Sequence, residues 1–185
     1  MHNRETEGDR ASVLARLSDA LVTIVRSAPA PALQPAGGIE LAYALPRAEL
    51  PADIAAVVFV PGCTGIPTFG GTNEAVRCLL TARRFEARIR ATGVIRNSRE
   101  AEKILEELLL QVCSYDRSRE PPGITVMHWG VAGCCREGVP DAVYDPGGRG
   151  AEGLIRLFAE DPAEIAQRIT AIIRRLPGNT GDGTL

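Results

Sequence analysis

Val112-Cys113-Ser114-Tyr115-Asp116-Arg117-Ser118-Arg119-Glu120-Pro121-Pro122 passes from apolar to densely charged within a few residues. Val112 to Tyr115 predicts a short buried strand. Pro121 and Pro122, which cannot donate to a sheet ladder, end it. Asp116, Arg117, Arg119 and Glu120 then crowd charges of both signs at its carboxyl end. Open α/β sheets bind small molecules beyond the carboxyl ends of their strands, so these charges are placed to form one wall of a site. The competing reading is a solvated loop whose surface ion pairs contribute little. A site requires other segments to converge on this one.

Downstream, Ile124 to Trp129 predicts a strand ending at Met127-His128-Trp129-Gly130, where a lone His beside the only Trp reads as a packed or surface residue. Ala142 to Asp145 predicts another strand, running into the glycine-rich turn Pro146-Gly147-Gly148-Arg149-Gly150. Leu154 to Phe158 predicts the last strand. Asp161, Pro162 and Glu164 supply an N-cap, a first-turn Pro and an acid three residues on. They open a helix that turns Ile165, Ile169, Ile172, Ile173 and Leu176 inward and stops at Pro177-Gly178.

Upstream, Asn97 and Glu100 read as a capping box for a helix with Ala101, Ile104, Leu105, Leu108 and Leu109 on its apolar stripe. Phe85 to Ile95 alternates like a strand, with Gly93 marking a bulge or break. Pro61 to Thr72 is a glycine-rich turn feeding a helix, with Thr72 as the expected N-cap. Such a turn can cradle a phosphate at a helix N-terminus, although no Lys-Ser/Thr closes it as in a Walker A loop. Val57 to Val60 and Ile39 to Leu45 predict two more strands, with a short turn at Asp53 to Ala56. Ala28 to Gly38 reads as an extended Pro/Gly linker. Leu14, Leu17, Leu21, Val22 and Val25 make residues 10–27 an amphipathic helix.

Strands alternating with helices give an α/β class: one layered domain, a mixed sheet flanked by helices, and the N-terminal amphipathic helix. That domain spans 10–176, between a frayed N-terminus (1–9) and a loose tail (177–185). The chain of 185 residues is 45% hydrophobic and 24% charged, with a formal net charge of −2. This composition suits a globular protein and supplies no basic field for nucleic acid. No apolar run reaches the roughly 18 residues of a membrane span, so a cytoplasmic location is expected. Cysteines stand at 63, 78, 113, 134 and 135. With an odd count, no CxxC and no secretion signal, reduced thiols are expected rather than a disulfide framework. Cys134-Cys135 lacks His or Cys partners at metal-ligand spacing, so no metal is assigned.

Five short motifs in order give the chain a family resemblance: Leu41-Ala42-Tyr43-Ala44-Leu45; Ser114-Tyr115-Asp116-Arg117 with Glu120-Pro121; Met127-His128-Trp129-Gly130-Val131; Pro140-Asp141-Ala142-Val143-Tyr144-Asp145 with Gly147 and Gly150; and Ile155-Arg156 before Asp161-Pro162. Over about residues 10 to 175 the chain resembles the ThiN-type thiamine-phosphate synthase domain. That archaeal-style domain is often fused to a hydroxymethylpyrimidine phosphate kinase, and a related group uses it as a thiamine-phosphate sensor. The resemblance implies joining of hydroxymethylpyrimidine diphosphate to a thiazole phosphate with release of pyrophosphate. Cys63 and Glu74 stand where the family carries Arg and His. Gly93-Val94-Ile95-Arg96 keeps only the last two residues of the family motif, and Ala151 replaces a Lys.

Each lost charge-assisted contact to a departing pyrophosphate costs about 1.5–3 kcal/mol, roughly tenfold or more in rate. The resemblance therefore implies a domain that binds thiamine phosphate, or a related pyrimidine or thiazole phosphate, with reduced catalytic capacity. Asp116, Arg117, Glu120, Met127, Trp129, Gly147, Gly150, Arg156 and Arg96 are its expected ligand-binding residues. Arg77 and Arg149 add positive charge. The alternatives are an active synthase assisted by Mg²⁺, and a non-catalytic partner of a pyrimidine kinase; a homodimer is also compatible. No tightly bound cofactor, nucleic acid or membrane is expected.

Overall fold

Successive side chains along Ile39–Ala44 (β1) point to opposite faces of a sheet covered on both sides, Ile39, Leu41 and Tyr43 to one and Glu40, Ala42 and Ala44 to the other. The rest of the domain follows from that division. The computed structural model describes residues 2–121, 127–148 and 150–177.

β1 pairs antiparallel with β2 (Ile54–Val60) on one side and β5 (Ala91–Arg96) on the other. β5 pairs antiparallel with β8 (Leu154–Ala159), and β8 with β7 (Ala142–Asp145). β6 (Val112–Ser114) lies parallel to β7 at the edge. At the other edge, β3 (Cys63–Thr64) and β4 (Thr68–Phe69) both fold back on β2. Among the described residues this is one open mixed sheet of eight strands in the order β3-β2-β1-β5-β8-β7-β6, with β4 beside β2.

Helices α1 (His2–Arg26), α3 (Arg99–Glu107) and α5 (Pro162–Arg175) cover one face, packing Leu17, Ile24, Leu105, Ile169 and Ile172 onto Ile39, Leu41, Ile155 and Leu157. Helices α2 (Glu74–Arg83) and α4 (Trp129–Cys134) cover the other, through Val76, Leu79 and Val131 against Val143 and Phe158. Each such side chain contributes about 1.5–3 kcal/mol when fully removed from water. Among the described residues no helix is long and apolar enough to cross a membrane.

Several expectations need correction. β6 is a half-buried edge strand rather than a buried one, since β7 is its neighbour on one side only. Met127 and His128 lie outside any strand, and Trp129 opens α4; residues 124–126 lie outside the described residues. Phe85–Arg90 is a turn after α2, and β5 begins at Ala91. Gly93 is neither bulge nor break: a Cβ there would lie 2.6 Å from Ile165 Cγ2, so the glycine lets α5 approach the sheet. Asn73 caps α2 in place of Thr72, accepting from Val76 N at 3.2 Å. Ser98 caps α3 in place of the Asn97–Glu100 box. The linker is not extended throughout, because Pro31–Leu33 forms a 3-10 turn that buries Leu33 fully. The helix expected from Arg10 begins at His2. The thiols are not all reduced: Cys113 and Cys134 form a disulfide between β6 and α4, with Cα atoms 5.9 Å apart. Cys135 stays free and buried, and burial pushes its thiol up to about 11.

Candidate functional site

Residues opposite one another on neighbouring strands project to the same face. The registers place Glu40, Val94, Arg156, Val143 and Cys113 in one row across β1, β5, β8, β7 and β6. The next row toward the rim is Arg96, Leu154 and Asp145. Ile155 and Leu157 join the α1/α5 core, so Arg156 between them must face α2 and α4. Strand alternation thus drives a guanidinium into the interior.

Arg156 is fully buried and is compensated on two sides. Its Nε donates to Glu74 Oε1 at 2.9 Å and its Nη1 to Asp145 Oδ2 at 2.7 Å. Nη2 lies 2.7 Å from Glu74 Oε1, yet at an angle that leaves it without a hydrogen bond. Asp145 is also fully buried, and accepts from Arg117 Nη2 at 3.0 Å, Tyr115 Oη at 3.3 Å and, through Oδ1, Gly147 N at 2.9 Å. A buried charge requires such pairing, because removing one partner strands the other in a poor solvent.

Glu74 is the first residue of α2, and His128 Nε2 lies 2.9 Å from its Oε1. His128 Nδ1 accepts from Val131 N at 3.2 Å as the cap of α4, so the ring proton belongs on Nε2 and points at Glu74. Burial alone would raise the Glu74 carboxyl. The His128 hydrogen bond and the Arg156 charge overcome it and hold the group well below the usual carboxylate range. Burial, aided by the Asp145 charge, pushes the Tyr115 phenol above its ordinary value. The Tyr115 ring meets His128 edge-on at 5.8 Å and Trp129 at 6.3 Å. Gly130 makes room for that ring, since a Cβ there would come within 2.3 Å of it.

Three of the anticipated segments therefore converge. Arg117 and Arg156 share Asp145, Trp129 touches Tyr115, and Gly147, at φ 82°, donates to Asp145. Asp116 accepts from Ser118 N at 2.8 Å and caps the 3-10 turn Arg117–Arg119, which Glu120 closes. Arg96 is on the same face, with its Nε 2.9 Å from Glu152 Oε2. Met127 is half-buried beside α4, and exposed Gly150 (φ 81°) follows Arg149, which lies outside the described residues. Cys63 is not brought in: it is exposed on β3, at the sheet edge away from β7. Asp145, Tyr115 and His128 stand inside the motifs that carry the resemblance but outside the expected ligand-binding set, and His128, read as packed or surface, is packed. An acid two residues before a glycine at a strand end was the available signal for Asp145.

Glu74, Cys78 and His128 hold their donor atoms within 4.8 Å of one another. The set fits a metal poorly. Glu74 already serves Arg156, and burial with the nearby Glu74 charge keeps the Cys78 thiol protonated. A metal on His128 Nε2 would move the proton to Nδ1, against Val131 N–H.

The chain matches the family described as thiamine-phosphate synthase ThiN over residues 16–171. It is 35% identical over 106 residues to the bifunctional thiamine biosynthesis protein ThiDN of Methanocaldococcus jannaschii, a match covering 56% of this chain and 25% of that protein. It is 30% identical over 123 residues to thiamine-phosphate synthase ThiN of Methanothermobacter thermautotrophicus, covering 63% and 65% respectively. The crystal structure of the C-terminal domain of a phosphomethylpyrimidine kinase superposes with a TM-score of 0.74 at 28% identity, over 89% of this chain and all of that one. The matched segment is thus about a quarter of the bifunctional relative and under two thirds of the single-function one. On this evidence the chain belongs to the ThiN family of thiamine biosynthesis.

Proposed function

We propose that the rim formed by β7, β8 and the start of α2 binds thiamine phosphate, or a closely related pyrimidine or thiazole monophosphate, with less catalytic capacity than a full synthase. The observation that carries this reading is the mutual neutralisation of the buried charges. Arg156 and Arg117 are matched by Glu74 and Asp145. Arg117 keeps 22% of its side chain exposed and Arg77 keeps 56%, so these two remain available to an anion at the surface. That is enough charge for one phosphate held through forked contacts. It is little to stabilise a departing diphosphate, whose developing charge is usually the largest catalytic burden.

In this reading Arg117 meets the phosphate, Trp129 stacks on a heteroaromatic ring beside Met127, and Gly147 and Gly150 let the backbone approach the ligand. Asp116 and Glu120, at either end of the turn that carries Arg117, hydrogen-bond ring substituents, and Arg96 closes the far side. The only tryptophan in the chain is Trp129, so its fluorescence reports directly on the site. Saturable quenching by thiamine phosphate, weaker with unphosphorylated thiamine, is expected; no response to either compound refutes the reading.

One relative named as a thiamine-phosphate synthase supports a second reading, synthase catalysis, for which Mg²⁺ is the expected assistant. Thiochrome fluorescence from the two purified substrates above the uncatalysed background would establish it. The likeness to a kinase C-terminal domain supports association with a pyrimidine kinase. Co-elution of the two purified proteins in size-exclusion chromatography tests that association.

A further inference from the structure

We infer that the Cys113–Cys134 bridge is a redox switch on the rim: closed, it fixes β6 and the Arg117 turn against α4; opened by a dithiol, it releases them. Its effect on ligand rests on the binding reading above, whereas the opening itself does not. The bridge joins two elements with little support of their own. Among the described residues β6 is three residues long with a strand neighbour on one side only, and α4 is six residues, less than two turns. Both cysteines are half-buried at the sheet edge rather than sealed in the core, and exposed disulfides are the ones that exchange readily. Between them in sequence stand Asp116, Arg117, Glu120, Met127 and Trp129, more than half of the residues expected to meet the ligand.

The two ends of the bridge are not held alike. α4 is anchored independently of it: His128 N donates to Thr81 Oγ1 at 2.9 Å, His128 Nε2 lies 2.9 Å from Glu74, and Val131 and Cys135 are buried in the core. β6 has β7 alone as a strand partner, and leads directly through Tyr115 and Asp116 to Arg117, whose Nη2 reaches Asp145 at 3.0 Å. Opening the bridge therefore loosens β6 and the Arg117 turn first, while α4 stays in place. The chemistry is thiol–disulfide exchange. A thiolate of the dithiol attacks one sulfur of the bridge, forming a mixed disulfide and expelling the other sulfur as a thiolate; the second thiol of the reductant then displaces the first. The bridge gains two electrons and two protons, and the reductant leaves as its own disulfide. Closure runs the same steps backwards with a disulfide oxidant. Cys135, next to Cys134, is buried with its thiol pushed up to about 11, so it stays protonated and does not scramble the pair.

The test treats the folded protein with dithiothreitol and then with glutathione disulfide, following the bridge by intact mass after alkylation and the fold by far-UV circular dichroism. Hydrogen exchange over residues 112–119 and 129–135, and calorimetric titration with thiamine phosphate, are measured in each state. The bridge is expected to open and reclose with the fold retained, and exchange to rise over 112–119 more than over 129–135. Affinity for thiamine phosphate should fall roughly threefold or more on opening and recover on closure, as when the competent conformation drops to about a third of the population. Cys113→Ser should match the opened state in both reagents. A bridge that opens only once the protein unfolds, an opened protein that loses its fold, or unchanged exchange over 112–119 overturns the inference. Raised exchange with an affinity change below about threefold overturns it too and leaves the binding reading intact. Absence of binding in the closed state removes the binding reading, and the exchange measurement alone then decides the switch.

Discussion

Replacing Arg156 by Met keeps an unbranched side chain of similar length and removes the one cation shared by Glu74 and Asp145. Breaking a buried ion pair by removing one partner costs about 3–5 kcal/mol, because the other charge stays behind. Asp145 retains Arg117 at 3.0 Å and Glu74 retains His128 at 2.9 Å, which places the expected loss near the lower end, about 3 kcal/mol. For a chain of this size that is a fall of roughly 6–12 °C in Tm. Urea unfolding followed by far-UV circular dichroism at pH 7, with the disulfide kept oxidised, measures it. Changing Glu74 to Gln and Asp145 to Asn as well removes the stranded charges, so the triple variant should be more stable than Arg156→Met alone. A loss below about 1 kcal/mol would refute the reasoning, since it would mean solvent screens the cluster as it does a surface pair.

Glu74 is held below its unfolded value of about 4.3, so its contribution is full above that pH and is lost as pH falls through the folded value. Acid titration of stability should therefore show a shallower acid limb in Glu74→Gln than in wild type; identical limbs would contradict the assignment. Gly130→Ala forces a methyl into the Tyr115 ring and should cost about 1–3 kcal/mol, relieved by Tyr115→Ala but not by Tyr115→Phe, in thermal melts. Reducing the Cys113–Cys134 bridge, whose ends are 21 residues apart, should lower stability by about 3 kcal/mol in the chain-entropy picture. Intact mass with and without reductant verifies the bridge, and equal denaturation midpoints in both forms would count against it.

Where structure is set by neighbours in the chain, it was legible. Asp161 accepting from Ala163 N at 2.9 Å, with Pro162 behind it, starts α5 where the capping residues say it should. The mixed α/β class followed from strand-like segments alternating with helical ones along the chain, although most of the alternation at Phe85–Ile95 falls in the turn before β5. Tertiary partners hid the rest. Met127-His128-Trp129 reads as strand because its apolar residues favour one, yet His128 caps α4 while its other nitrogen is held by Glu74, 54 positions away in the sequence. β3 and β4 are two residues each, stabilised by pairing with β2 rather than by any propensity of their own. Cys113 faces α4 only because of its register with Val143, which no cysteine spacing reveals. Asp145 looks like an ordinary strand-end acid until β8 sets Arg156 beside it. The family motifs did point to Arg117, Arg156, Trp129 and Gly147, which cluster; Asp145 lies in one of those motifs and Glu74 at a family position, but nothing in the sequence pairs these acids with the arginines.

Isothermal titration of thiamine phosphate into wild type and Arg117→Ala most directly tests the claim that one neutralised rim holds a single phosphate. Wild type should give saturable one-to-one binding that Arg117→Ala weakens tenfold or more, as expected when a charge-assisted contact of about 1.5–3 kcal/mol is lost. Equal affinity in the two proteins, or no heat with wild type, would contradict it.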